Sequence, residues 1–235
     1  MSEYTNDFAI VSEGVTDYAV LKNILLGYFK GKGRDPRISQ KQPSMDATME
    51  GDPEWRKFGT WENVFRYLKE GKHRDALSYN KYILVQIDTD LSEHPNFGVA
   101  HREGNRVRSP KELVVGVRDR LRQEMGEADF AKYGARFVFA ICVHAMECWL
   151  LPLWVTDVRK ASKITGCLDA VNRALAKKNE PPLPADGKKA GHYLEASRHL
   201  KQKGVFREMA QRNPSLKVFF DELERLNIEL TEDPD

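Results

Sequence analysis

Residues 8–29 read FAIVSEGVTDYAVLKNILLGYF, and the hydrophobic period changes in the middle of this stretch. Phe8–Ser12 is a short apolar run, which is typical of a buried β-strand. After Glu13-Gly14 the apolar residues recur at helical spacing on one face, and they are Val15, Tyr18, Leu21, Leu25 and Phe29. The stretch therefore predicts a strand, a tight turn and a helix, which is the opening unit of an α/β fold.

Further apolar runs predict more strands of the same sheet. Tyr82–Ile87 is almost unbroken and ends abruptly in an Asp-Thr-Asp sequence at 88–90, which favours a central parallel strand buried on both faces. Arg136–Val143 is a second such run, and a weaker strand signal lies at Arg37–Lys41. Strands that alternate with helical patterns indicate a mostly parallel sheet flanked by helices.

Amphipathic segments between and after these strands predict the helices. A helix that Thr60 can cap has a predicted inner face of Trp61, Val64, Phe65 and Leu68, and Gly71 ends it. SPKE at 109–112 is a capping box with proline at the first helical position, and it is followed by Leu113, Val117, Leu121 and Met125. Beyond Thr156 the pattern is helical. We predict an α/β core over residues 1–155 and a helical extension over 156–235 that packs on it.

The charge balance excludes a protein that coats nucleic acid through a global basic field. Among 235 residues, 37 Lys and Arg stand against 35 Asp and Glu, which gives a net charge of +2. Any contact with nucleic acid must therefore be local. Arg102, Arg106, Arg108 and Lys111 form one local basic cluster, which either tracks phosphates or is a solvated loop.

The cysteines and the N-terminus favour a reduced, cytoplasmic protein. Cys142, Cys148 and Cys167 form no CxxC pair, so we expect separate thiols and no cysteine-based zinc site. The N-terminus lacks the basic start and apolar segment of a secretory signal. Charged and proline residues interrupt the most apolar stretch, Phe137–Val155, so we expect no membrane span.

Carboxylates follow three of the predicted strands. Glu13 ends the first strand, Asp88 and Asp90 end the central one, and Glu147 lies just past a third. In open parallel sheets, ligands bind outside the carboxyl ends of the strands. Hard cations such as Mg²⁺ or Mn²⁺ prefer oxygen ligands, and phosphoryl-transfer sites often hold two such ions. Each acid alone is explained equally well by a turn or a helix cap, but together they predict a divalent-metal site.

FAIVSEGVTDYAVLKNIL at 8–25 and YILVQIDTD at 82–90 together resemble the Toprim domain shared by topoisomerases, primases, OLD-type nucleases and small ribonucleases. The resemblance covers roughly residues 7–155. It is closest to OLD-type and stand-alone Toprim nucleases of prokaryotic defence systems, because EGVTD at 13–17 matches their EGxx(D/E) form. HAMECWLL at 144–151 resembles their acidic, Trp-containing motif. The Toprim resemblance as a whole implies a compact Rossmann-like sheet of about four strands and the activity of a metal-dependent endonuclease.

The resemblance also implies roles for the acids. Glu13 would be a metal ligand or general acid/base, and Asp88 and Asp90 would be metal ligands. Asp17 and Glu147 would serve a second ion. Asp17 has a competing role, since a carboxylate one turn into a helix also stabilises the helix dipole. Glu147 lies in apolar sequence and needs a cation, either a metal or a neighbouring arginine.

A scissile phosphate also needs positive charge to stabilise its transition state. OLD-type sites use a lysine downstream of the core, and the resemblance makes Lys188 or Lys189 the candidate, followed by Tyr193 in DGKKAGHYLE at 186–195. The alternative is that these lysines belong to a solvated basic loop.

The expected partner is a nucleic acid, and the sequence leaves DNA, tRNA and other RNA open. The chain contains no G-x-x-x-x-G-K-[ST] phosphate loop, so we expect a separate ATPase or sensor protein to control it as a defence effector. A homodimer is compatible with this expectation.

Two other functions stay open. The first is a phosphatase of the haloacid-dehalogenase type, with Asp88 as nucleophile and Asp90 as second acid. In such enzymes the Asp-x-Asp strand normally opens the fold, whereas here a strand–helix unit precedes it. The second is a Toprim-fold binding module without catalysis.

Overall fold

The computed structural model describes residues 4–43, 60–186 and 189–231. The described strands are β1 (Asn6–Val11), β2 (Ile38–Gln42), β3 (Asn80–Asp88), β4 (Arg102–Glu103), β5 (Arg106–Val107) and β6 (Phe137–Cys142). The described α-helices are α1 (Val15–Phe29), α2 (Thr60–Lys69), α3 (Lys72–Tyr79), α4 (Pro110–Met125), α5 (Glu127–Tyr133), α6 (Met146–Trp154), α7 (Val158–Ala161), α8 (Cys167–Ala176), α9 (Ala190–Ala196), α10 (Val205–Ala210) and α11 (Pro214–Leu226). Short 3₁₀ turns lie at Gly134–Arg136 and Arg198–Lys201.

Four strands form one parallel sheet in the order β2-β1-β3-β6. In the register, Ile10 pairs with Leu84 and Ile87 pairs with Ile141. The predicted α/β fold with a parallel sheet flanked by helices is confirmed. β4 and β5 form a small antiparallel hairpin outside this sheet, and the sequence did not predict it because both of its strands are exposed.

The two faces of the sheet bury separate hydrophobic clusters, because successive side chains of a strand point to opposite faces. Phe8 and Ile10 of β1 face one cluster, which includes residues of α1, α6 and α8–α11. Ala9 and Val11 face the other, which includes residues of α2, α3 and α4. Residues on both sides of position 155 share the first cluster, so the helices after Thr156 pack on the sheet. The division at that position stays a prediction.

Most of the predicted helix patterns agree with the structure. The inner faces predicted for α2 and α4 are buried. In the capping box, the Glu112 N–H donates to Ser109 Oγ at 3.4 Å, and the Ser109 N–H donates to Glu112 Oε2 at 2.7 Å. The single apolar face predicted for α1 is wrong at Val15, which is exposed, while Asn23 is buried. The Asn23 amide reaches the C-terminal helices, where Nδ2 donates to Ser197 Oγ at 2.7 Å.

The expectation of separate, reduced thiols is wrong for two of the three cysteines. Cys148 at the start of α6 and Cys167 at the start of α8 form a disulfide, while Cys142 is a buried free cysteine. The packing of α8 on α6 brings together two thiols that lie 19 residues apart. No local spacing rule identifies such a pair. In the described part of the chain, no helix is both long and apolar enough to cross a bilayer.

Candidate metal centre

The carboxyl ends of three neighbouring strands carry the predicted acids. Glu13 follows β1, Asp88 is the last residue of β3, and Glu147 lies in the first turn of α6, which follows β6. Because β1, β3 and β6 are adjacent and parallel, these residues meet at one edge of the sheet, as the sequence predicted.

Hydrogen bonds join the ends of β1 and β3. The Asp88 N–H donates to Glu13 Oε1 at 2.6 Å. Gln86, a buried residue of β3, accepts from the Glu13 N–H at 3.1 Å and donates from Nε2 to Asp88 Oδ1 at 2.8 Å. Gln86 therefore holds both acids in place. One sequence signal could have identified it, since Gln86 is the polar residue inside the apolar run 82–87.

The first turns of α6 and α1 lie next to Asp88. The start of α6 contributes a backbone N–H group, and the start of α1 contributes a carboxylate. The Met146 N–H, at the start of α6, donates to Asp88 Oδ2 at 3.3 Å. In the first turn of α1, Asp17 Oδ2 accepts from the Gly14 N–H at 2.9 Å, so Asp17 does cap α1. Asp17 is also buried, and its negative charge raises the pKa of Asp88. The capping role and a metal role are therefore compatible.

Asp88 is the centre of the acidic group. Burial raises the pKa of its carboxyl well above the usual value, and four carboxylates raise it further: Asp17, Glu13, Asp90 and Glu147. All five acids singled out from the sequence thus lie close enough to interact electrostatically. Like charges brought together at a buried position are costly unless protons or cations neutralise them. We call Glu13, Asp17, Asp88, Asp90 and Glu147 the carboxylate cluster.

Tyr193 of α9 joins this cluster through Glu147. Glu147 is only 5% exposed, and its Oε1 accepts a hydrogen bond from the Tyr193 hydroxyl at 2.5 Å. Burial raises the pKa of Tyr193, and the charges of Glu147, Asp17 and Asp88 raise it further. Tyr193 therefore stays protonated at neutral pH and donates a hydrogen bond to the cluster. The sequence placed it only as a neighbour of two candidate lysines.

Asp90 lies on the exposed side of the cluster. Its Oδ1 accepts from the Leu91 N–H at 2.8 Å. The loop that carries Asp90 is held in place by His144, whose carbonyl oxygen accepts hydrogen bonds from the N–H groups of Thr89 and Asp90, both at 3.1 Å. His144 has a φ of 63°, a left-handed conformation that is uncommon outside glycine and often found at functional sites.

The structure supports the predicted basic residues less directly than it supports the acids. Lys188 lies outside the described residues. Lys189 is exposed and immediately precedes α9, about one helical turn before Tyr193. Its catalytic role stays a prediction. In the cluster at 102–111, Arg106 forms ion pairs with Glu103 and Glu112, so much of its charge is already neutralised.

The donor chemistry of the carboxylate cluster fits a hard divalent cation. As placed, no three acidic, histidine or cysteine side chains of the described residues converge on a single point where an ion would sit. The Glu13 carboxylate instead accepts a hydrogen bond from the Asp88 backbone N–H. Each carboxylate oxygen can accept more than one bond, and Mg²⁺ and Mn²⁺ prefer carboxylate oxygens with some retained water. The residues that would hold such an ion are therefore the carboxylate cluster.

Comparison with known proteins adds no relative: no family model, no curated protein and no solved structure matches this chain.

Proposed function

We propose that this protein is a metal-dependent nuclease that hydrolyses phosphodiester bonds of DNA or RNA with Mg²⁺ or Mn²⁺. The observation that carries the proposal is the meeting of Glu13, Asp88 and Glu147 at the carboxyl ends of three adjacent parallel strands, where burial and four other carboxylates also raise the pKa of Asp88. A divalent cation would relieve this repulsion. Phosphoryl-transfer enzymes often use clustered carboxylates in this way.

The five acids of the carboxylate cluster have different proposed roles according to their positions. Glu13 and Asp88 are fixed to each other and to Gln86 at the sheet edge, so they would hold a cation in a defined place. Asp90, on the exposed side, would complete the ligands where substrate arrives. Asp17 and Glu147 are the buried acids and would serve a second cation. When bound, the cation supplies Lewis acidity that stabilises charge on the scissile phosphate.

Tyr193 acts as a positioning residue. Its hydroxyl fixes the orientation of the Glu147 carboxylate, in the manner by which groups behind the ligands of metal sites orient those ligands. Lys189 immediately precedes α9, the helix that carries Tyr193. Lys189, or Lys188 before it, would supply the positive charge that a phosphoryl-transfer transition state needs.

We further propose that the protein acts in the cytoplasm as an effector of antiviral defence and that a separate ATPase controls it. This regulation rests on the resemblance to OLD-type and stand-alone Toprim nucleases. Cells should then tolerate expression of the chain alone. Growth arrest on expression of the wild type without any partner would count against ATPase control.

Cleavage assays test the nuclease directly. The protein, recovered from its native cells with any bound partner, is incubated with supercoiled DNA and with total RNA in Mg²⁺, Mn²⁺ or EDTA, and p-nitrophenyl phosphate reports phosphatase activity. We expect wild type to cut nucleic acid with metal, and we expect Glu13→Gln and Asp88→Asn to lose this activity while remaining folded by circular dichroism. Hydrolysis of p-nitrophenyl phosphate without nucleic acid cleavage would favour the phosphatase instead.

Glu222→Gln is the matched control for these variants. Glu222 is a half-buried glutamate whose Oε1 accepts from the Phe139 N–H at 3.2 Å, outside the carboxylate cluster. The same chemical change there should leave cleavage intact.

A further inference from the structure

A groove of about 430 Å³ lies where the end of α6 meets α7 and α8. Its lining includes five exposed cationic residues, Lys160, Lys163, Arg173, Lys177 and Lys178. The carboxylate in the lining is Asp157, whose Oδ1 accepts from the Lys160 N–H at 3.0 Å and so caps α7. We call this surface the basic groove. Its positive charge is concentrated on a chain with a net charge of only +2.

Most cations of the basic groove have no ion-pair partner, unlike the two surface arginines Arg122 and Arg198. Arg122 pairs with Glu127, and Arg198 pairs with Glu180. By contrast, four of the groove cations have no carboxylate oxygen within the 4.0 Å of an ion pair across residues 4–43, 60–186 and 189–231. These four are Lys160, Lys163, Arg173 and Lys177. Like charges gathered without ion-pair partners favour an anionic ligand.

The aromatic residue of the groove indicates which part of a ligand is bound. Trp154 is 5% exposed, and two cations already lie over its ring, with Lys178 Nζ at 5.3 Å and Arg198 Cζ at 5.6 Å from the centroid. The indole therefore presents little face for a base to stack on. The groove offers charge rather than stacking, and such a surface recognises phosphates and not base identity.

The groove lies a short distance along α6 from the carboxylate cluster. The disulfide joins Cys148 of α6, next to Glu147, to Cys167 at the start of α8. Both helices run from this point toward the groove, which Trp154 and Arg173 line. Seven helical residues from Glu147 to Trp154 span about 10 Å at ~1.5 Å per residue. One strand of a nucleic acid carries a phosphate about every 3.4 Å along a duplex axis, so this distance corresponds to about three nucleotides.

We propose that the basic groove binds the sugar–phosphate backbone of the nucleic acid, a few nucleotides from the bond that the carboxylate cluster cuts. The proposal rests on the proposed nuclease function, because it assigns that substrate a second contact surface. It makes binding independent of base sequence and strongly dependent on salt.

Binding measured without cleavage tests the groove. The full chain is titrated in EDTA with labelled single-stranded DNA, with RNA of the same sequence and with the DNA duplex, from 50 to 200 mM salt. The test variant is the double substitution Arg173→Gln/Lys177→Gln. At low salt its dissociation constant should rise by about tenfold or more. The slope of log affinity against log salt should become shallower by about 1.4–1.8, at roughly 0.7–0.9 per lost phosphate contact.

The control removes the same charge from ion-paired positions. Arg122 and Lys217 pair with Glu127 and Asp221, so Arg122→Gln/Lys217→Gln should bind as wild type does. Preference among the three oligonucleotides identifies the substrate as DNA or RNA. The groove is refuted if Arg173→Gln/Lys177→Gln binds all of them as wild type does or if both double variants weaken equally. It is also refuted if wild type binds vesicles containing phosphatidylserine but no oligonucleotide.

The outcomes for the groove and for the nuclease are separable. A wild type that binds through the groove but never cleaves with metal, even when recovered with its bound partner, keeps the groove and refutes the nuclease. A wild type that cleaves, with unchanged binding in Arg173→Gln/Lys177→Gln, keeps the nuclease and refutes the groove.

Discussion

Replacing Glu147 by Gln preserves the shape of the side chain and an acceptor for the Tyr193 hydroxyl, but it removes one negative charge from the carboxylate cluster. Glu147 is among the groups that raise the pKa of Asp88, so without metal the repulsion falls and stability should stay unchanged or rise slightly. With metal, a ligand charge is missing and the affinity for Mn²⁺ should fall. If Glu147 were only a helix cap, Glu147→Gln would lose at most about 1 kcal/mol and would respond to Mn²⁺ as wild type does.

The size of the effect follows from linkage between binding and folding. At a free Mn²⁺ concentration about 100 times the dissociation constant, binding stabilises the folded state by about 2.7 kcal/mol. For a chain of 235 residues, that raises the melting temperature by about 5–11 °C, at ~2–4 °C per kcal/mol. Loss of affinity on the order of 100-fold leaves about 0.4 kcal/mol at the same concentration, which is a rise of about 1 °C.

The assay compares melting temperatures with and without Mn²⁺ for wild type, Glu147→Gln and the control Glu222→Gln. Burial raises the pKa of Glu222, so its substitution also removes a charge that is costly to bury. The control should keep the full Mn²⁺ response. If Glu147→Gln shows the wild-type rise in melting temperature together with wild-type cleavage, Glu147 is not part of a metal site.

Three further outcomes concern groups around the core. Tyr193→Phe removes a donor to a buried carboxylate, so the metal-free protein should lose about 1.5–3 kcal/mol in urea denaturation; an unchanged midpoint would contradict this. Burial alone would raise the pKa of the fully buried Asp7, but hydrogen bonds from Arg34, Thr231 and Arg37 bring it below its usual value. The stability that this gives is present above about pH 4 and is lost as pH falls through the folded pKa. Asp7→Asn should therefore lose about 3 kcal/mol at pH 7 and show a flatter acid limb in melting temperatures from pH 2 to 7, and parallel curves would refute the role of Asp7. Cys148→Ser should cost about 3 kcal/mol, from a closed loop of 19 residues, and a reductant should lower the melting temperature of wild type but not of this variant.

The central sheet was predictable because its strands carry their own signal. The run ending at Asp88 is apolar on both faces, and burial on both faces of a parallel sheet requires that pattern. The capping box at Ser109 was equally local. By contrast, α3 has few apolar residues in KHRDALSY at 72–79, and its position depends on packing against β3 and not on its own periodicity.

The candidate site was predictable only in its acids. Glu13, Asp88 and Glu147 end separate strands, and the topology of a parallel sheet brings such ends together. Gln86 and Tyr193 were not assigned roles, because a hydrogen bond between distant positions leaves no pattern in a single sequence. The basic groove was missed for the same reason. Its cations lie on α7, on α8 and in the segments that follow each of these helices, and they face one groove only after α8 packs on α6.

The most direct measurement is metal-dependent cleavage by the protein recovered from its native cells with any bound partner. Total RNA and supercoiled DNA are supplied with Mn²⁺ or EDTA, and the cut ends are sequenced for wild type and Asp88→Asn. We expect cuts that need Mn²⁺ and vanish in Asp88→Asn, while Glu222→Gln retains them. Cleavage that persists in EDTA, or cleavage by Asp88→Asn at the wild-type rate, would show that the carboxylate cluster is not the catalytic site.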